Sequence, residues 1–111
     1  MIPQVRPSEL QAWIKQQDTP VVVLDVREPE ELEMSSVTPN GFDLVTIPMN
    51  DVPARLAELD ASRPMAVLCH RGVRSQRVAL FLEQNGFDKV INIAGGIDAW
   101  SNERDGSVPH Y

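Results

Sequence analysis

The sequence predicts an α/β fold, a three-layer α/β/α sandwich around a central parallel sheet. Short β-branched runs alternate with helix-patterned stretches along the chain, the arrangement of βαβ units. Two of those runs, Val21 to Val26 and Met65 to Cys69, lack apolar–polar alternation, as strands covered on both faces do. A 111-residue chain with 42% apolar and 23% charged residues has the composition of a globular domain rather than of a fibre or a disordered tail.

In chain order, Ser8 and Gln11 make a capping-box start, and Leu10, Trp13 and Ile14 recur at helical spacing. A helix is therefore expected over 8–17, closed before Pro20. Val21 to Val26 forms the first strand. Pro29 suits a first helical turn and opens a short helix to Met34. Residues 35–43 read as a loop with turn chemistry at Pro39, Asn40 and Gly41, and Leu44 to Ile47 as a strand stopped by Pro48.

Asp51 is placed to cap a helix with Val52, Leu56 and Leu59 on one face. Met65 to Cys69 is another strand. Ser75 to Asn85 is expected as a helix with Val78, Phe81 and Leu82 inward, and Gly86 as its left-handed stop. A last strand, Val90 to Ile93, leads through Gly95 and Gly96 to a short helix around Ile97 to Trp100. Residues 1–111 are thus read as a single domain, with a core over about 5–100 and a polar tail, 101–111, lying on the body.

Composition narrows the chemistry. One cysteine forms no internal disulfide and supplies no multi-cysteine metal site. Two histidines, His70 and His110, do not make a His-rich zinc centre, so no metal is expected. A net charge of −6 and a pI near 4.7 argue against non-specific nucleic-acid binding, which needs a basic face. No apolar run approaches the ~20 residues that cross a bilayer, and the N-terminus has no apolar signal core. A soluble cytoplasmic protein without a membrane partner is expected.

Ligands of such sheets sit beyond the carboxyl ends of the strands, which selects Asp25 to Glu28, Cys69 to Ser75 and Ala94 to Gly96. The second segment is chemically the richest. A lone cysteine closing an apolar strand is, by itself, more often a small core residue. Here Gly72 allows a tight fold, and the loop runs into a helix N-terminus that gathers N–H groups. Arg71 and Arg74 add positive charge, so the local field favours the thiolate, the nucleophilic form of sulfur. Arg71, Arg74 and Arg77 carry +3; removing them from the net −6 leaves −9 on the rest of the chain. His70 has no assigned acid–base role.

The segments Asp25-Val26-Arg27-Glu28, Cys69-His70-Arg71-Gly72-Val73-Arg74-Ser75 and Gly95-Gly96-Ile97-Asp98-Ala99-Trp100 resemble, in order and spacing, those of the rhodanese family of sulfurtransferases. The likeness covers roughly residues 5–100. It implies a cysteine that cycles between thiol and persulfide. Cys69 would be the catalytic nucleophile, and His70, Arg71, Gly72, Val73, Arg74 and Ser75 the substrate cradle. Arg74 would neutralise the donor anion or the persulfide, with Arg71 at the rim. Asp25, Arg27, Gly95 and Gly96 would support the site, and Trp100 would anchor packing.

The implied reaction moves sulfane sulfur from a small anionic donor such as thiosulfate to an external thiol, protein or cyanide acceptor, with neither a metal nor an organic cofactor. Many members carry Gly-His-Ile before the Ile-Pro strand end. This chain keeps Ile47-Pro48 but has Met34 to Pro39 there instead, so the 35–43 loop departs from the pattern.

Other readings use the same residues. A persulfide carrier that relays sulfur between proteins differs only in its partners. A phosphatase or arsenate reductase of this fold also needs a cysteine and an anion cradle. Its loop, however, holds one residue more than the four between Cys69 and Arg74, up to ~3.5 Å of chain. No resolving cysteine is present for arsenate chemistry.

Overall fold

The computed structural model describes residues 1–111. Its strands are β1 (Gln4–Val5), β2 (Val22–Asp25), β3 (Asp43–Thr46), β4 (Met65–Leu68) and β5 (Val90–Ile93). Its α-helices are α1 (Pro7–Lys15), α2 (Pro29–Met34), α3 (Val73–Gln84) and α4 (Gly96–Glu103). All strand pairs are parallel, in the order β1-β5-β4-β2-β3.

That order sets β5, β4 and β2 side by side at the centre. The register pairs Asp25 with Leu68 and Val67 with Asn92. The three segments selected from the sequence therefore lie next to one another beyond the strand ends.

Period-two alternation of side chains along the strands builds two cores. Val22, Leu24, Met65, Val67, Cys69 and Val90 face one side, where Val78, Ala79 and Leu82 of α3 pack. Val23, Ala66, Leu68, Ile91 and Ile93 face the other, under Leu10 of α1 and Ile97 and Trp100 of α4. The result is the expected three-layer sandwich, with a radius of gyration of 12.6 Å. Trp100 is fully buried and meets Phe42 edge to face at 5.9 Å between ring centroids. It is the packing anchor that the sequence suggests.

Several elements differ from expectation. Gln4–Val5, too short for a periodic signal, adds an edge strand. The first helix starts one residue earlier, and its reciprocal capping contacts join Arg6 and Glu9 rather than Ser8 and Gln11. The helix expected from Asp51 is two isolated 3₁₀ turns, Met49–Asp51 and Leu56–Glu58. The Arg55 amide does return to the Asp51 carbonyl at 3.1 Å, but Arg55 itself sits at φ −110°, ψ 15°, outside the helical region, so the ladder does not propagate and the next turn starts afresh. Val52, Leu56 and Leu59 still reach the core.

The helix after the cysteine begins at Val73, not Ser75, because Gly72 takes a φ of 100° at its N-cap and turns the chain early. The final helix runs on through Ser101 to Glu103, and Val108 from the segment read as a polar tail is buried in the core.

Candidate active site

Cys69 follows the last residue of β4, and strand alternation points its side chain to the α3 side of the sheet. There it is 1% exposed. The Gly72 N–H donates to its Sγ at 3.0 Å, and the thiol donates to Ser75 Oγ at 3.2 Å. Ser75, in the first turn of α3, donates in turn to Asn92 Oδ1 at 2.5 Å. Asn92 Nδ2 donates to the Gly72 carbonyl at 3.1 Å and to Gln4 Oε1 at 2.8 Å. One asparagine on β5 thus ties the loop, the helix start and the edge strand together.

The loop peptides are held from the opposite side. The Ile97 amide donates to the Cys69 carbonyl at 2.9 Å, and the Asp98 amide to the His70 carbonyl at 3.1 Å. This approach requires Gly96, since a Cβ there would lie 2.4 Å from the His70 oxygen and 2.5 Å from the Cys69 oxygen. Both carbonyls are thereby turned into the α4 N-terminus. The amides of His70 and Arg71 have no acceptor within the fold. Those of Val73, Arg74 and Ser75 belong to the first turn of α3, which has no intrahelical acceptor to offer them.

The charged groups are arranged differently from expectation. Arg74 does not stand free over the sulfur: both terminal nitrogens donate to the carboxylate of Glu31, each at 2.7 Å. That fork, working against partial burial and aided by the Glu28 amide and the Tyr111 hydroxyl, lowers the Glu31 pKa to about 2. The same hydrogen bonds raise the Arg74 pKa.

Tyr111 donates to Glu31 Oε1 at 2.8 Å and accepts from Arg27 Nη1 at 3.2 Å. Burial pushes its phenol pKa up. Its ring lies flat on the His70 imidazole, 4.0 Å between centroids and 11° between planes. Beneath it, His70 Nε2 is buried without a hydrogen-bond partner.

Arg27, with no exposed side-chain surface, forks onto Asp25 through Nε at 2.9 Å and Nη2 at 2.8 Å. Burial would lower its pKa, but the bonds to Asp25 and Tyr111 outweigh that and raise it. Asp25 and Arg27 therefore form a buried structural pair at the edge of the site. Arg71 and Val73 are exposed, and Arg71 has no ion pair.

Sequence reasoning missed four participants. Asn92 had a signal, a lone amide inside an otherwise apolar strand. Gln4, Glu31 and Tyr111 had none, because each reaches the site from a segment whose local pattern concerns something else.

A cysteine at the tip of the middle strand of a parallel sheet, wrapped in a glycine-bent amide loop, defines a cysteine-loop protein of the α/β class. Residues 6–103 match the rhodanese-like domain family, and the chain belongs to that family. A sulfurtransferase of Allochromatium vinosum is 32% identical over 81 residues, 73% of this chain and 72% of that protein. A putative sulfur carrier protein of Bacillus subtilis is 34% identical over 88 residues, 79% of this chain but 45% of its own length. Among solved structures, a rhodanese-like domain protein from Staphylococcus aureus superposes with a TM-score of 0.77 at 31% identity, covering 99% of both chains. No helix is long and apolar enough to cross a membrane.

Proposed function

We propose that this protein is a cytoplasmic sulfurtransferase that moves sulfane sulfur from thiosulfate, or a related anionic donor, to a thiophilic acceptor through a persulfide on Cys69. The observation that carries the reading is the sulfur cradle. The Gly72 amide is already on Sγ at 3.0 Å, and the His70 and Arg71 amides beside it are unused by the fold. Such donors stabilise negative charge on sulfur without reorganising.

The Cys69 thiolate attacks the outer sulfur of thiosulfate. A new S–S bond forms as the bond to the sulfonate sulfur breaks, and sulfite leaves with that electron pair. The acceptor thiolate then attacks the outer persulfide sulfur and releases Cys69 as thiolate, by the logic of thiol–disulfide exchange. His70 to Ser75 hold the transferred sulfur. Arg71 faces the incoming anion, and Arg74, engaged by Glu31, contributes its charge rather than a direct contact. Asp25, Arg27, Gly95 and Gly96 keep the loop in place. Cys69 is the one cysteine of the sequence, so the acceptor thiol comes from outside residues 1–111, which work as one domain.

Mass analysis after incubation with thiosulfate tests this. The protein gains the mass of one sulfur atom, and the C69S variant gains nothing. An unmodified wild-type mass, together with turnover of an aryl phosphate, overturns the proposal in favour of a phosphatase. A sulfur carrier performs the same loading step and differs in delivering to one protein; the likeness to the B. subtilis carrier favours keeping that form of the reading.

A further inference from the structure

We propose that the outer face of α3 docks an acceptor protein through an extended acidic segment that carries the accepting cysteine and, four residues further on, an apolar anchor. The proposal rests on the sulfurtransferase reading above and names the kind of acceptor that reading requires.

Five arginines are consumed in ion pairs with Glu103, Asp25, Glu58, Asp43 and Glu31, and Arg104 lies against Trp100. Arg77, on the exposed face of α3, has no such partner, and neither does Arg71 at the cysteine loop. In a chain of net charge −6 these two form the free positive charge beside the active site. Two cations suit a short acidic segment, not a polyanion such as nucleic acid.

Arg77 stands between two depressions. One, of about 430 Å³, is walled by Gly72, Val73, Gln76 and Asn92 and opens beside the loop that holds Cys69. The other, of about 180 Å³, is walled by Met49, Val52, Pro53, Val78 and Phe81 and is apolar. Val73, itself 65% exposed, Arg77 and Phe81 follow one another at i, i+4 and i+8 along one stripe of the helix.

Eight residues of helix rise about 12 Å, the span of about four residues of extended chain. A cysteine at the Gly72 end therefore puts a carboxylate two residues on against Arg77, and an apolar side chain two residues beyond that in the second pocket. A small thiol has no use for an apolar pocket so far from the sulfur.

Transfer conserves atoms and electrons. The peptide thiolate attacks the outer sulfur of the Cys69 persulfide and takes it as a new persulfide, while the Cys69–sulfur bond breaks and Cys69 departs as thiolate.

The test uses the full chain loaded with thiosulfate and freed of excess donor. Transfer is timed to the peptide Gly-Cys-Ser-Glu-Ser-Leu-Gly, to its versions with Lys for Glu or Ser for Leu, and to neutral 2-mercaptoethanol. The acidic leucine peptide is expected to accept about tenfold faster than the lysine version and several-fold faster than the serine version. The R77E variant, loaded to the same mass, inverts the order of the acidic and lysine peptides and keeps the 2-mercaptoethanol rate within about twofold. Equal rates for the acidic and lysine peptides, or an order unchanged by R77E, overturn the docking proposal alone. Failure of the wild-type protein to load overturns the sulfurtransferase reading, and the docking proposal with it.

Discussion

The floor of the site and its mouth are built on different principles. At the floor, Cys69, Gly72, Ser75 and Asn92 are joined by neutral hydrogen bonds at the ends of adjacent strands, and Gly96 brings a second helix into backbone contact. At the mouth, Arg74, Glu31, Tyr111 and Arg27 form a chain of long charged and aromatic side chains. Only its far end, the Asp25–Arg27 pair, is fully buried. The floor is buried and its donors to and around Sγ are neutral. The Arg74–Glu31 fork at the mouth is partly exposed, so water screens its charge.

If that division is right, the largest effect comes where the mouth network is rooted in the sheet. D25A leaves the buried Arg27 guanidinium without its counter-ion, which costs about 3–5 kcal/mol. At this chain length the thermal midpoint should fall by more than about 10 °C. A midpoint within about 2 °C of wild type would dissolve the distinction between the buried root and the screened rim.

Next comes the floor itself. G96A forces a Cβ into the Cys69 and His70 carbonyls, an overpacking worth about 1–3 kcal/mol of stability. Because those carbonyls position the cysteine loop, persulfide formation from thiosulfate should slow together with the melt. Unchanged loading would show that α4 merely packs there.

S75A removes the hydroxyl that links Cys69 to Asn92 and leaves Asn92 Oδ1 buried without its donor, at about 1–3 kcal/mol. Denaturant titration reads this directly, and the loading rate reports whether the link also positions the sulfur.

The smallest effect is expected at the rim. E31Q weakens a partly exposed fork and should cost about 1 kcal/mol or less at neutral pH. Its signature is the pH profile. Glu31 titrates near 2 in the folded protein against 4.5 unfolded, so its stabilisation is complete above about pH 4.5 and is lost as the pH falls towards 2. Melts across that window should fall more steeply for wild type than for E31Q. Parallel curves would remove Glu31 from the acid response.

These contrasts follow what could be read along the chain. The helix from Pro29 to Met34 and the strand from Val90 to Ile93 coincide with their expected bounds, because a first-turn proline and a β-branched run broken only by Asn92 are local signals. The Asp51 segment does not continue as a helix because Arg55 leaves the helical region after one turn, which a good cap and a good apolar stripe do not reveal. At the floor, Cys69 and its glycine-bent loop announce themselves by contiguity. The mouth does not, because Arg74 meets Glu31 across 43 positions and Tyr111 meets Glu31 across 80.

By itself, then, the sequence determined the sandwich, the strand that ends in Cys69 and the amide loop after it, since all three depend on neighbours within one or two turns of chain. Only the tertiary structure decided that Arg74 is held by Glu31, that Tyr111 covers His70, and that Arg77 is left free between two depressions. Charge pairing is a competition among all the groups that folding brings within a few ångströms, and the order of residues along the chain does not contain that list.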